Sequence, residues 1–460
     1  MTLTNYHPRP IQSALILIIL LVLPVQFTVF AKKRSDNSSK RAAARSNKRE
    51  KVSAKDRRTR KNERLSAKDS RRGNSRLSKR ELRRERRQNA RDESASVKAL
   101  ERRLRRPLSK RERNAELRRL AAQRRREILE ARRRAEAARR AAIARQLALE
   151  KAMRDEAQTF ISRDDTTGED LDVRRAAVSA LGYHAGTVVV MDPMTGKIYS
   201  IVNQEWALRR GFKPCSTIKL VTGIAGLSEK VISPSETTNI SDRYHLDLTD
   251  ALAYSNNTYF QHVGGQVGFD KMMSYARKMG LGEKTGVNIA NEYSGRLPSE
   301  KTGFALNRMS SHGDDFEVTA LQLGTLVSAM ANGGKLLVPH VARTPQEQTR
   351  FGVKVRRQLD VAPEDFRRMV PGMVGAVNYG SGKKAYDPLQ TVAGKTGTCI
   401  GQGSWLGLFT SYAPLANPRL AIVVITRGSD ARGHFPAAVA GRIYRDLNRR
   451  FGTPTHLQLA

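Results

Sequence analysis

Three short stretches of the chain hold residue types that can do chemistry together. "KPCSTIKL" (213–220) places Ser216 three residues before Lys219. A serine attacks a carbonyl only if a base takes its proton, and lysine is such a base only where burial and positive neighbours lower its pKa. Pro214 followed by "TIKLVTGIAGL" predicts a helix starting here, and positions three apart share a helix face. Taken alone, this pair also fits an ordinary capped helix start. "YSNNTYF" (254–260) adds Ser255 and Asn257, and "GKTGT" (394–398) adds Lys395, Thr396, Gly397 and Thr398. A second lysine brought close to the first would lower its pKa and favour a neutral amine.

The elements that must position these groups are legible in the hydrophobic pattern. "AGTVVVMDPMTGKIYSIVN" (185–203) predicts two strands joined by a turn at 193–196. "VTALQLGTLVSAMANGG" (318–334) has apolar residues at helical spacing and a glycine stop. "QTVAGKTGTCI" (390–400), "SWLGLFTSYAP" (404–414) and "RLAIVVITRG" (419–428) read as successive strands, and "AVAGRIYRDLNRRF" (438–451) as a closing helix. The expected fold class is α/β (α+β), with late antiparallel strands flanked by helices.

Charge divides the chain. Its formal net charge is +39, and residues 31–155 carry +30 of it. Residues 32–96 mix Lys and Arg with Ser, Asn and Ala, and are expected to stay disordered for lack of apolar surface. Residues 97–158, rich in Ala, Arg, Glu and Leu, predict a long solvated helix or weak coiled coil, broken from what precedes by Pro107. Residues 160–460 form the expected globular domain. The basic arm has no stacking aromatics or zinc spacing, which argues against nucleic acid. Anionic lipid or an anionic wall polymer satisfies the same electrostatics, as does a plain solvated spacer. Residues 14–31, "ALILIILLVLPVQFTVFA", fit either a membrane anchor near the lower length limit or a secretory segment ending at Ala31. The positive-inside rule would hold Lys32, Lys33 and Arg34 in the cytoplasm, but it weakens for long translocated segments.

Ser-x-x-Lys, Ser-x-Asn and Lys-Thr-Gly, in this order, are the signature of penicillin-recognising serine enzymes. Residues 183–447 resemble the transpeptidase domain of penicillin-binding proteins. Besides the three motifs, the likeness rests on "NEYSGRLP" (291–298) and on the Thr-x-x-Gln-Leu helix with its Ala-Asn-Gly-Gly stop. The resemblance implies a β-lactamase/transpeptidase-like fold, a five-stranded antiparallel sheet with a helical lobe, behind the basic arm. It implies D,D-transpeptidation of peptidoglycan stem peptides, inhibition by β-lactams, and no metal or cofactor. Related alternatives are a D,D-carboxypeptidase, a serine β-lactamase, a β-lactam sensor or a wall-binding scaffold. Export to the periplasm or envelope follows from this reading.

By the same resemblance, Ser216 is the acylated nucleophile and Lys219 its base. Ser255 relays protons under the influence of Lys395, and Asn257 orients Lys219. Thr396, Gly397 and Thr398 belong to substrate binding, and the amides of Ser216 and Thr398 form the oxyanion hole. Glu292 is expected to be structural, not a deacylating base, and the lone His312 and His434 are expected on the surface or in loops. Cys215 and Asp315 stand where the family usually has glycine. Relatives of this fold that hydrolyse carbapenems join the positions of Cys215 and Cys399 by a disulfide. The same pairing is expected here; two small buried thiols are the other reading.

Overall fold

The computed structural model describes residues 79–452, apart from 234–236, 242, 243 and 433. The expected membrane or signal segment at 1–31 lies outside the described residues. Among those described, no helix is long and apolar enough to cross a membrane. The chain divides into two units at Gln123/Arg124, within a helix.

In the first unit, helix α1 (Lys79–Leu104) begins inside the stretch whose composition suggests disorder. Its Glu and Arg residues are strong helix formers, and composition outweighs the missing apolar content. After Pro107 the chain turns into α2 (Lys110–Ser162), and its start folds back along α1. There Ser96 Oγ donates to Glu116 (3.1 Å), and Glu101 accepts from the Leu108 amide (3.2 Å).

In the second unit, the end of α2 does not stop at the expected edge near 158. Ala157 is fully buried, Met153 and Phe160 pack on the main core, and Glu150 accepts from Ser429 Oγ at 2.7 Å. Helix α3 (Leu171–Leu181), capped by Asp170, leads into the sheet. Strands β1 (Gly186–Met191), β2 (Ile198–Val202), β3 (Ala393–Gly401), β4 (Ser404–Ala413) and β5 (Leu420–Arg427) pair antiparallel throughout, in the order β2-β1-β5-β4-β3. The five-stranded antiparallel sheet is therefore as expected.

Both faces of this sheet are covered, so β1 and β5 read as unbroken apolar runs instead of alternating. Val188, Val190, Ile422 and Val424 pack on α3 and α11 (Phe435–Asp446). Val189, Met191, Val423 and Ile425 face the helical lobe. That lobe includes α4 (Lys219–Ser228), α5 (Leu248–Ala253), α6 (Asn257–Val267), α7 (Phe269–Lys278), α8 (Gly303–His312), α9 (Ala320–Ala331) and α10 (Pro363–Asn378). Thr319 and Gln322 form a capping box at the start of α9, which satisfies its first amides. Buried Gln322 also donates to the Glu283 and Ser294 carbonyls (2.8 and 2.7 Å). The Thr-x-x-Gln pattern is thus a structural clamp on the "NEYSGRLP" segment.

Candidate active site

Ser216 lies in a single 3₁₀ turn, Cys215–Ile218, that runs directly into α4. Residues i and i+3 eclipse in such a turn, so the spacing of three sets Lys219 under Ser216. The Lys219 side-chain nitrogen is 3.1 Å from Ser216 Oγ and 3.0 Å from Ser255 Oγ. It donates to the Ser255 carbonyl (2.8 Å) and to Asn257 Oδ1 (2.6 Å). The second motif divides its labour. Asn256 caps α6 through the Tyr259 amide (2.9 Å), which leaves Asn257, the first residue of that helix, to hold the lysine. Ser255 takes a left-handed backbone (φ 56°), so both its carbonyl and its hydroxyl reach the same nitrogen.

Lys219 is fully buried and the Phe260 ring lies 5.6 Å from its nitrogen. Burial, and secondarily the charge of Lys395, hold its pKa well below the ordinary lysine value. Two of its four polar neighbours are carbonyl oxygens, which can only accept. They take the two protons of a neutral amine and turn its lone pair toward the hydroxyls. A hydroxyl hydrogen-bonded to such an amine is equipped to attack a carbonyl.

Lys395 is also fully buried, and burial lowers its pKa to about 7. It donates to the Thr396 carbonyl at 3.0 Å, not to Ser255 Oγ as the resemblance implies. Its effect on the hydroxyl pocket in this state is one of charge, through Lys219. Thr396 Oγ1 is 2.6 Å from Ser381 Oγ, and Ser381 is tied in turn to the Ala253 carbonyl, two residues before Ser255. Ser381 escaped the sequence reading, because nothing in "YGSGKKA" marks it before the chain folds.

Strand β3 is the sheet edge, so backbone groups not paired with β4 face the cleft and can take up an extended chain. Thr398 is exposed on it. At Gly397 an added Cβ would stand 3.1 Å from the Pro214 carbonyl and 3.3 Å from Cys215 Cβ, so glycine lets the serine turn lie against the strand. Cys215 and Cys399 are joined in a disulfide across that contact, with Cα atoms 5.7 Å apart. Cys215 (φ 49°) and Asp315 (φ 64°) keep the left-handed backbone that glycine adopts freely.

The remaining candidates separate by their partners. Glu292 accepts from the Thr285 amide and hydroxyl (2.7 and 2.5 Å) and from the Gly286 amide (3.1 Å), which makes it structural. His312 is half-buried at the end of α8, where burial and the charges of Arg308 and Lys219 depress its pKa. It is thus closer to the site than the surface position expected. A cavity of about 370 Å³ lies beyond the disulfide, lined by Lys213, Asp314, Ile400 and Arg427 among others. Among the described residues no His, Cys, Asp and Glu group is arranged to hold a metal ion.

A sheet between two helical layers, with a serine turn and a lysine-bearing edge strand facing a loop serine, is the architecture of a serine acyl-transferase domain. The model of the penicillin binding protein transpeptidase domain matches residues 186–449, over half the chain, and the protein belongs to that family. It is 25% identical over 346 residues to the peptidoglycan D,D-transpeptidase MrdA of Acinetobacter baumannii, covering 57% of this chain and 52% of that one. It is 24% identical over 281 residues to the stage V sporulation protein D of Bacillus subtilis, covering 54% and 43%. The chain thus spans about half the length of these curated relatives. In fold it is similar to the transpeptidase domain of Burkholderia pseudomallei penicillin-binding protein 3, with a TM-score of 0.54 and 21% identity over 63% of this chain and 96% of that one.

Proposed function

We propose that the protein is a D,D-transpeptidase that cross-links peptidoglycan stem peptides through an acyl-enzyme on Ser216, and that β-lactams acylate the same serine. The observation that carries this reading is the convergence of Ser216, Ser255 and Asn257 on one buried lysine nitrogen, at 2.6–3.1 Å. Lys219 takes the Ser216 proton as Oγ bonds to the penultimate D-alanine carbonyl. Amides of Ser216 and Thr398 stabilise the oxyanion, a charge present only near the transition state. Ser255 passes the proton to the departing D-alanine amine, and Thr396 and Thr398 hold its carboxylate. An amine from a neighbouring stem then takes the acyl group, and Ser216 recovers its proton. Gly397 keeps the strand close to the serine turn.

This chemistry belongs in the cell envelope, and the paired cysteines support an oxidising compartment. The basic arm is suited to anionic lipid or wall polymer. The test is labelling with fluorescent penicillin. A long-lived adduct, absent in Ser216→Ala, is expected. An adduct lost within seconds favours a β-lactamase, and labelling unaffected by the substitution overturns the reading.

A further inference from the structure

Two exposed tyrosines stand close in sequence to residues of the site, and the chemistry above does not use them. Tyr254 immediately precedes Ser255, and Tyr379 lies two residues before Ser381, the partner of Thr396. They are 59% and 39% exposed, and their ring centroids are 5.6 Å apart at a 56° tilt. Tyr379 donates its hydroxyl to Asp250 Oδ1 at 3.0 Å, which fixes the ring's edge. Burial, the bond to Asp250 and the nearby charges of Asp250, Tyr254 and Asp247 together push the Tyr379 phenol up to about 12, so it stays neutral. Large exposed rings are poorly hydrated, and two held together beside carboxylates make a surface that attracts a cation.

We infer that Tyr254, Tyr379 and Asp250 form the subsite for the amine-bearing acceptor peptide of the proposed transpeptidation. The inference rests on that reading of the active site. The terminal carboxylate of the donor belongs near Thr396, which Ser381 connects to the Tyr379 loop. On that reading the leaving amine departs beside Thr396, the residue that Ser381 ties to the Tyr379 loop. An attacking amine must occupy the place the leaving amine vacates, so its chain extends outward over the two rings. It arrives as an ammonium ion, which the ring faces and Asp250 attract, and gives one proton to solvent. The neutral nitrogen bonds to the acyl carbon, the bond from that carbon to Ser216 Oγ breaks, and an amine proton passes to Oγ. Water needs no such platform, so the pair biases the acyl-enzyme toward aminolysis over hydrolysis.

The test uses the full chain with a thioester-ended donor peptide, and lysinamide as the amine. The ratio of amide product to hydrolysed product is measured beside the rate of fluorescent-penicillin acylation. Tyr379→Leu and Asp250→Asn are expected to lower the product ratio about tenfold with acylation unchanged, and Tyr379→Phe to preserve most of it. Penicillin labelling of each variant confirms that the site is folded. An unchanged ratio in both variants, with aminolysis by the wild type, overturns this inference and leaves the transpeptidase reading intact. A wild type that only hydrolyses the donor overturns both.

Discussion

The protein carries positive charge in two opposite ways. Along α2, arginines such as Arg132, Arg133 and Arg139 stand in solvent, and several neighbours pair with a glutamate one turn away, as Arg140 does with Glu136 (2.6 Å). In the cleft, Lys219 and Lys395 are fully buried, and each has oxygens of carbonyls or hydroxyls for partners instead of a carboxylate. Water stabilises the first set cheaply, so many charges change little. Burial opposes the second set, so two lysines are driven toward their neutral forms. Environment, and not the number of charges, decides which cations can act as bases.

This contrast can be broken most severely at Lys219. Lys219→Ala should slow acylation by fluorescent penicillin by about 10³–10⁴-fold, in the range of a lost general base, with little change in the circular-dichroism spectrum. A rate near wild type would mean that Ser216 has another base. The next effect is on pH dependence. The acylation rate should rise with pH as Lys219 loses its proton, below the ordinary lysine value of 10.5. Lys395→Met removes a neighbouring positive charge, so Lys219 should keep its proton to higher pH and the limb should move upward. Its midpoint, from a pH–rate profile of the residual activity, checks this.

Burial of Lys395 also links stability to pH. Between about 7 and 10.5 the unfolded chain holds a proton on this residue that the folded chain has released. Stability should therefore rise with pH across that window, as read from urea midpoints.

The disulfide sharpens the comparison at the next scale. It closes a loop of 184 residues and holds the serine turn on β3. Cys399→Ser should lower unfolding free energy by about 2–4 kcal/mol. It should also slow acylation more than an equal loss of stability elsewhere in the unit. The smallest effect belongs to the exposed helix. Replacing Arg132, Arg133 and Arg139 with glutamine should leave both the melting temperature and acylation unchanged, yet weaken retention on anionic vesicles at low salt. Unaltered retention would make this stretch of α2 a spacer.

Much of the site could be read before folding, because each motif coincides with one local element. Ser216 and Lys219 share a helical turn, Asn257 opens a helix, and Lys395 alternates with Thr396 along a strand. The sheet was equally legible, since strands buried on both faces leave long apolar runs between turn residues. The arm follows other rules. The order in α1 comes from helix propensity and contacts with the start of α2, while the composition of 79–96 suggested none. Ser381 was missed for another reason. Its sequence neighbours are ordinary, and only the folded chain brings it to Thr396 and the Ala253 carbonyl.

The sequence alone therefore determined the chemical groups and the elements that carry them, because these depend on residue type and short-range spacing. Tertiary structure decided what those groups are. It brought Ser255, from 36 residues away, onto the Lys219 nitrogen and buried both lysines. It also turned the Lys395 amine to the Thr396 carbonyl and made β3 an edge. A lysine's pKa depends on the water it has lost and the charges beside it, and neither exists until the chain has folded.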